Sequence, residues 1–375
     1  MSLKKLNILY ISSKKKWGGV SSWMLRTAMR LEERGHCVWI LAHPRGRFAA
    51  DNLDYPHLVK RKLGMDYNPS TVAYLVYFIK KNRIDVVVTN IEKEVIAGGC
   101  AARICGIPNI RRVGREDDFN RKWKVKWRHR LLVDQCITPC DLIRDNAVKR
   151  APWLDPHKFV TIHNGKNQCH FDASLILLQR RKWGVSENAL VIGVTSQLSG
   201  AKQIDRLIRV FHRISVRFPD TFLVVTGEGK DGVSLIELAE KLNLTHRMVF
   251  AGYTTQPLLA AAAYDIAVSC SGFEGFPNTV VEYFAVGRPV VTTNAGGVSE
   301  MAEDGVNSSV VPVGDDDALH DALVRLIQSP ADRHRLSQNA IATIEKGFSE
   351  DLMVSKLADA LRTAIEMKHK RGGRD

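Results

Sequence analysis

The chain has 375 residues, 45% of them hydrophobic, with 54 Lys+Arg against 40 Asp+Glu and a net charge of +14. That length exceeds one typical core and implies two domains, and no apolar run reaches the roughly 18 residues of a membrane span. Seven cysteines, an odd number without zinc-ribbon spacing at Cys100/Cys105 or Cys136/Cys140, argue against a disulfide frame or a metal site and read as buried thiols.

The charge is unevenly spread. Residues 1–165 hold 31 Lys+Arg against 15 Asp+Glu, a balance of +16, while the remainder holds 23 against 25. Such a field attracts phosphates, an anionic membrane surface or nucleic acid. Met1-Ser2-Leu3-Lys4-Lys5 runs directly into strand-like Leu6–Ile11, too short for a signal-peptide core with a cleavage site, so a soluble cytoplasmic protein is expected. Trp17-Gly18-Gly19-Val20 follows, then a helix from Ser21 to about Glu33. Glycines let a phosphate or sugar approach the backbone, and the helix start supplies N–H groups; the same pair also reads as a plain turn. It does not match Gly-x-Gly-x-x-Gly.

Further buried strands are expected at Cys37–Ala42, Asp85–Thr89, Asn109–Val113 and Gln135–Thr138, with helical stretches between most of them. Asn90 stands just beyond the third strand. Arg111, Arg112, Arg115, Glu116 and Asp117 surround the end of the fourth, either as ligand contacts or as a charged, solvated loop. In Arg121-Lys122-Trp123-Lys124-Val125-Lys126-Trp127-Arg128-His129-Arg130, residues Trp123, Trp127 and Leu131 fall at i, i+4, i+8. A basic helix with aromatic anchors, Lys122 and Lys126 among its cations, suits an anionic membrane surface. The alternative packs both tryptophans into the first domain. No RNA-binding motif accompanies the stretch, and nucleic acid is not expected.

Asn164-Gly165 marks the expected boundary: residues 1–164 form the first domain, joined by a returning C-terminal helix at about 352–370, and 165–351 form the second. That helix shows Met353, Leu357, Leu361 and Ile365 every four residues. The second half repeats the strand pattern at Leu190–Thr195, Phe222–Thr226, Met248–Ala251, Ile266–Ser269, Pro289–Thr292 and Ser309–Val311. Short apolar strands separated by helices imply parallel βαβ units, hence an α/β chain of two doubly wound domains with a cleft between them. Ligands of such sheets collect beyond the carboxyl ends of strands.

Four stretches stand at such ends. Thr195-Ser196-Gln197-Leu198-Ser199-Gly200-Ala201-Lys202 offers Lys202 as a compact charge for a diphosphate. Gly227-Glu228-Gly229 and Ala251-Gly252-Tyr253-Thr254 end two more strands. Glu274-Gly275-Phe276-Pro277-Asn278-Thr279-Val280-Val281-Glu282 places one acid in a loop and another just over one turn into a helix, with Pro277 suited to the first turn. Free N–H groups there form an anion site beside two hydroxyl-accepting carboxylates, which suits a nucleotide sugar. Each stretch alone also reads as an ordinary turn or solvated helix start.

Together with Gly287-Arg288-Pro289-Val290-Val291, Asn294-Ala295-Gly296-Gly297-Val298-Ser299-Glu300 and Asp304-Gly305-Val306-Asn307, this block resembles the family 4 retaining glycosyltransferases. The resemblance extends over most of the chain. It implies the GT-B fold, two Rossmann-like domains with the last helix crossing back to the first. Glu274 and Lys202 would be catalytic. Gly18, Gly19, Gln197, Gly227, Glu228, Tyr253, Gly275, Phe276 and Glu282 would join them around the donor, Glu282 accepting from ribose hydroxyls. Asn90, Arg111, Arg112, Arg115 and Glu116 would lie on the acceptor side. No cofactor is expected, and on the reading that the chain lacks an Asp-x-Asp triplet the transfer is expected to need no metal. The sequence departs from the family at Gln197 and Gln203, where arginine and glycine are usual, and at Asn90 and Gly114, where histidine is common. The implied activity is retaining transfer from a nucleotide diphosphate sugar, a UDP-sugar favoured, to a saccharide or a lipid-linked or lipopolysaccharide-type acceptor, with peripheral attachment to the plasma membrane's inner face. A nucleotide-sugar epimerase or hydrolase of the same fold, or a degenerate binding protein, remains open.

Overall fold

A computed structural model describes residues 5–16, 18–51, 54–64, 68–114, 119 and 123–372. The chain divides into two compact units, Met1–His163 with Met353–Asp375, and Asn164–Leu352.

Among the described residues, unit 1 carries β1 (Asn7–Ser12), α1 (Gly19–Glu33), β2 (Cys37–Ala42), α2 (Arg47–Asp51), β3 (Leu58–Lys60), α3 (Pro69–Lys81), β4 (Val86–Thr89), α4 (Glu92–Ile104), β5 (Asn109–Arg112), α5 (Trp123–Leu132), β6 (Gln135–Thr138), α6 (Asp141–Arg150) and β7 (Phe159–Thr161). Its sheet runs β3-β2-β1-β4-β5-β6-β7, and every recorded pairing is parallel. β4, β5 and β6 are buried along their whole length, the pattern of a parallel sheet covered on both faces. α3 shows how local sequence sets an end: Pro69 opens the helix, where its missing N–H is tolerated, and the Asn68 side chain accepts from Ser70 N at 3.0 Å.

Unit 2 carries α7 (Ala173–Lys182), β8 (Leu190–Thr195), α8 (Ile204–Arg217), β9 (Thr221–Thr226), α9 (Gly232–Lys241), β10 (Met248–Gly252), α10 (Pro257–Ala262), β11 (Ile266–Ser269), α11 (Asn278–Ala285), β12 (Val290–Thr293), β13 (Ser309–Val311), α12 (Asp316–Gln328) and α13 (Pro330–Thr343). Its sheet runs β10-β9-β8-β11-β12-β13, again parallel. The final helix, α14 (Glu350–Gly372), lies almost wholly in unit 1. Its Val354, Leu357 and Leu361 are fully buried in one cluster with Ile8, Tyr10, Val38 and Ile40. Removing such side chains from water is worth roughly 2 kcal/mol each, which ties the last helix to the first strands.

The expected strands are present with ends shifted by a residue or two. β3 was not expected: it is three residues long, none fully buried, and gives almost no apolar signal. No disulfide joins the seven cysteines, but only Cys136, Cys140 and Cys270 are buried; the other four are half-buried. Among the described residues, no helix is long and apolar enough to cross a membrane.

Candidate functional site

In unit 2 the strand order reverses between β8 and β11, so the loops leaving these two strands diverge and open a crevice at their carboxyl ends. Lys202 and Glu274 meet there. The Lys202 ammonium contacts Glu274 Oε1, which also accepts from Ser271 Oγ at 2.6 Å. Backbone bonds join the same two loops: Gly272 N–H donates to Ala201 O at 2.9 Å, and the Cys270 thiol to Lys202 O at 3.3 Å. Burial pushes that thiol up to about 12, so it stays protonated and inert.

Glu274 is held from behind as well. A side chain at Gly296 would overlap the Glu274 carbonyl, and φ at Gly296 is +61°, so two independent constraints select glycine. Gly297 N–H reaches the same carbonyl at 3.4 Å. The Asn294–Glu300 motif therefore braces the backbone of Glu274. Gln203 has φ +51° and ψ 37°, a left-handed conformation, which gives the physical reason a glycine suits this position.

Around the pair, Ser196 N–H donates to Thr226 O at 2.9 Å, and Leu198 N–H to Glu228 O at 3.0 Å. Gly227, at φ +131°, lies so close to the Ser196 carbonyl that no side chain fits. Gln197 and Glu228 are exposed at this edge, and Tyr253, just past β10, is half exposed. Gly275 is half-buried. Phe276 is buried and stacks on Phe348 at 6.3 Å.

Glu282, on α11, has a partner that sequence reasoning missed: Lys166 Nζ lies 3.6 Å from its Oε1. Asn164 Nδ2 donates to Asn278 Oδ1 at 2.7 Å at the start of the same helix. A side chain at Gly165 would collide with the Ser349 backbone, so the Asn-Gly pair is set by close packing rather than by a turn. Pro277 precedes α11 as its cap residue instead of occupying the first turn, a one-residue shift.

Two tyrosines, also missed, pin the strand ends. Tyr264 OH lies 2.9 Å from both Thr195 Oγ1 and Thr226 Oγ1. Tyr283 OH accepts from Thr195 N at 2.7 Å. Burial raises the Tyr264 hydroxyl to about 12 and Tyr283 well above the usual range, so both remain neutral donors. The sequence clue was two tyrosines in apolar surroundings, whose hydroxyls must find partners when buried.

In unit 1, Gly18 and Gly19 lie exposed at the start of α1, and an added Cβ at either would meet no atom within 4 Å. Asn90 is buried: its N–H donates to Glu94 Oε2 at 3.0 Å, and its Oδ1 has no partner. Arg111 and Arg112, expected on the acceptor side at the end of the fourth strand, lie within β5, 2% and 7% exposed. Arg111 donates to Asn90 O at 3.3 Å, pairs with Glu92 at 3.4 Å and covers the Phe119 ring at 4.6 Å. Arg112 covers Trp23 at 4.7 Å. Both carry strand-neighbour contacts, so neither is an open acceptor group. Arg115, Glu116 and Lys122 lie outside the described residues, as do Trp17 and Asp117. On α5, Trp123, Trp127 and Leu131 are 67%, 57% and 45% exposed, which overturns the alternative that packs the tryptophans inside. Lys126 is on the same helix.

No group of three or more His, Cys, Asp or Glu that could hold a metal occurs among the described residues. The chain does contain one Asp-x-Asp triplet, Asp315–Asp317, but each member is engaged: Asp315 caps α12 through Ala318 N, Asp316 pairs with Arg206 and Asp317 with Arg213.

Comparison with known proteins gives this geometry a family. A model of the glycosyl transferases group 1 matches residues 177–343, and a model of glycosyltransferase family 4 matches residues 17–167. The chain belongs to the family 4, group 1 glycosyltransferases. An uncharacterized glycosyltransferase of Methanocaldococcus jannaschii is 28% identical over 218 residues, 56% of this chain and 55% of that one. The matched stretch thus spans about half the length of that curated relative. An Escherichia coli protein named UDP-Gal:alpha-D-GlcNAc-diphosphoundecaprenol alpha-1,3-galactosyltransferase is 23% identical over 312 residues, 80% of each chain. Among solved structures, Anabaena HepE in complex with UDP and glucose superposes with a TM-score of 0.82 at 21% identity, covering 95% of this chain and 99% of that one. The chain therefore has the GT-B fold, with two parallel-sheet α/β units.

Proposed function

We propose that this glycosyltransferase moves a sugar from a UDP donor to a saccharide or lipid-linked acceptor, retaining the anomeric configuration and needing no metal. The observation that carries the reading is the Lys202–Glu274 pair at the β8–β11 crevice. Without ligand the two charges neutralise each other. A donor diphosphate competes for the Lys202 ammonium and releases the Glu274 carboxylate to accept from sugar hydroxyls. Lys202 then faces the negative charge that develops as the diphosphate leaves, where a preorganised cation lowers the barrier most. Glu282, only loosely held by Lys166, accepts from ribose hydroxyls. In front-face transfer the acceptor oxygen bonds to the anomeric carbon on the side from which the diphosphate departs, and the departing phosphate oxygen takes the acceptor proton. HepE, solved with UDP and glucose, and the E. coli relative, named for UDP-Gal, support the choice of nucleotide.

The exposed Trp123–Trp127–Leu131 face of α5, together with the +16 balance of residues 1–165, supports attachment to an anionic membrane surface at which a lipid-linked acceptor would be met. The test is product analysis by NMR with UDP-sugars: a retained anomer is expected, and an inverted product or a trapped glycosyl-enzyme adduct overturns the mechanism. Loss of turnover in chelator, restored by manganese, contradicts the metal-free reading. A second reading, a nucleotide-sugar-binding protein without turnover, is favoured by Gln197, whose neutral amide cannot clamp a phosphate as a guanidinium does. A rate gained by Gln197→Arg identifies a weakened enzyme, whereas continued silence identifies a binder.

A further inference from the structure

The loops beyond β1, β2 and β3, with the first turn of α4, enclose a cavity of about 540 Å³ lined by Ser13, Lys15, His43, Arg45, Lys62 and Lys93 together with Pro44 and Leu63. Four side chains of fixed positive charge converge there, and no carboxylate lines the wall. No ion pair is recorded for any of the four among the described residues, whereas Arg30, Arg47, Arg144, Arg206 and Arg213 each pair with an acid elsewhere. Glu94 touches Ser13 from the buried side, but its carboxylate is already committed to Ser13 N at 2.6 Å, Ser13 Oγ at 2.9 Å, Asn90 N at 3.0 Å and Ile91 N at 3.2 Å.

His43 completes the set. It is 8% exposed, and its Nδ1 accepts from Arg45 N–H at 3.1 Å, which leaves the neutral ring's proton on Nε2 as a further donor. Burial, then Lys15, Lys62, Arg45 and Lys93, lower its pKa, as four cations around one ring must. A concave wall of lysines, an arginine and a neutral imidazole donor, with Ser13 as its one hydroxyl side chain and no carboxylate, selects a compact, multiply charged anion.

We propose that this cavity binds a phosphate or diphosphate group carried by the acceptor. The assignment to the acceptor rests on the proposed transferase reading; the anion site itself rests on unit 1 alone. The test is calorimetric titration of inorganic pyrophosphate into the full chain with UDP present at saturation, so that any donor site is filled. Wild type is expected to bind pyrophosphate, and Lys15→Ala/Lys62→Ala to bind at least tenfold more weakly with UDP affinity and melting temperature unchanged. Both lysines are exposed, so folding is not at stake. Absence of pyrophosphate binding by wild type, or equal affinity in the double variant, overturns the site. A failure of UDP to bind while the pyrophosphate result holds would instead remove the transferase reading and leave the anion site. Farnesyl diphosphate binding more tightly than pyrophosphate assigns a lipid-linked source; equal affinity assigns the phosphate of a soluble acceptor.

Discussion

The carboxyl edges of the two sheets share a strand order that reverses at the centre, β1 to β4 in unit 1 and β8 to β11 in unit 2, yet their charges are arranged differently. In unit 2 two cations at the edge face acids: Lys202 faces Glu274 and Lys166 faces Glu282. In unit 1, Lys15, Arg45, Lys62 and Lys93 line one cavity with no carboxylate in its wall. A matched pair can be opened by a ligand that has both phosphates and hydroxyls, as a nucleotide sugar does. An unmatched cluster can only be neutralised by an anion. One architecture thus presents two chemistries, decided by the loops and not by the sheets.

The largest effect should come from breaking the matched edge. Lys202→Met leaves Glu274 unpaired and removes the cation from the leaving group; turnover is expected to fall by about 10²–10³-fold, the loss typical of one transition-state charge contact. Steady-state kinetics with a UDP-sugar checks this, and a change below threefold would show that another group serves the diphosphate. Next comes Gly296→Ala, which forces a Cβ into the Glu274 carbonyl at a positive φ. Thermal or urea unfolding should show a loss of roughly 2–3 kcal/mol.

Acid sharpens the contrast from the other side. His129, 3% exposed with neither ring nitrogen partnered, is held neutral by burial and by Arg111, its pKa lowered to about 3. The unfolded chain takes up this proton near pH 6.5 and the folded chain does not, so stability falls as pH drops below about 6.5 and continues to fall toward 3. His36 and His43, lowered as well, act in the same direction, and all three belong to unit 1. Between pH 7 and 5, His129→Phe should remove a loss of about 2 kcal/mol seen by urea unfolding in the wild type. The smallest effect on stability is expected from Trp123→Ala/Trp127→Ala, within about 0.5 kcal/mol because both rings are exposed. Sedimentation with anionic vesicles should nevertheless show binding lost, while UDP affinity is unchanged.

The alternation of short apolar strands with helices carried the fold, because parallel strands buried on both faces read as continuous runs. β3 escaped for the opposite reason: Leu58–Lys60 is too short and too exposed to leave a pattern. The Glu274–Glu282 block and the Lys202 stretch each stood out locally, but that Lys202 meets Glu274 followed from neither. Lys166 and Tyr264 were not legible, since what matters is a contact across many residues of chain, 116 for the Lys166–Glu282 pair. Arg111 and Arg112 misled because charge reads as surface. In β5 they are buried and compensated by Asn90 O, Glu92 and aromatic faces, which a local pattern cannot reveal. The basic excess of the first half was plain, but its concentration in one cavity depends on three loops brought together by the sheet.

The measurement that bears most directly on this account is calorimetric titration of UDP, GDP and ADP into the wild type and into Glu282→Ala. Selective binding of UDP, weakened about tenfold or more in the variant, is the predicted result. Well-folded protein that binds none of the three, or binds UDP equally well without the Glu282 carboxylate, would contradict the placement of the donor at the β8–β11 edge.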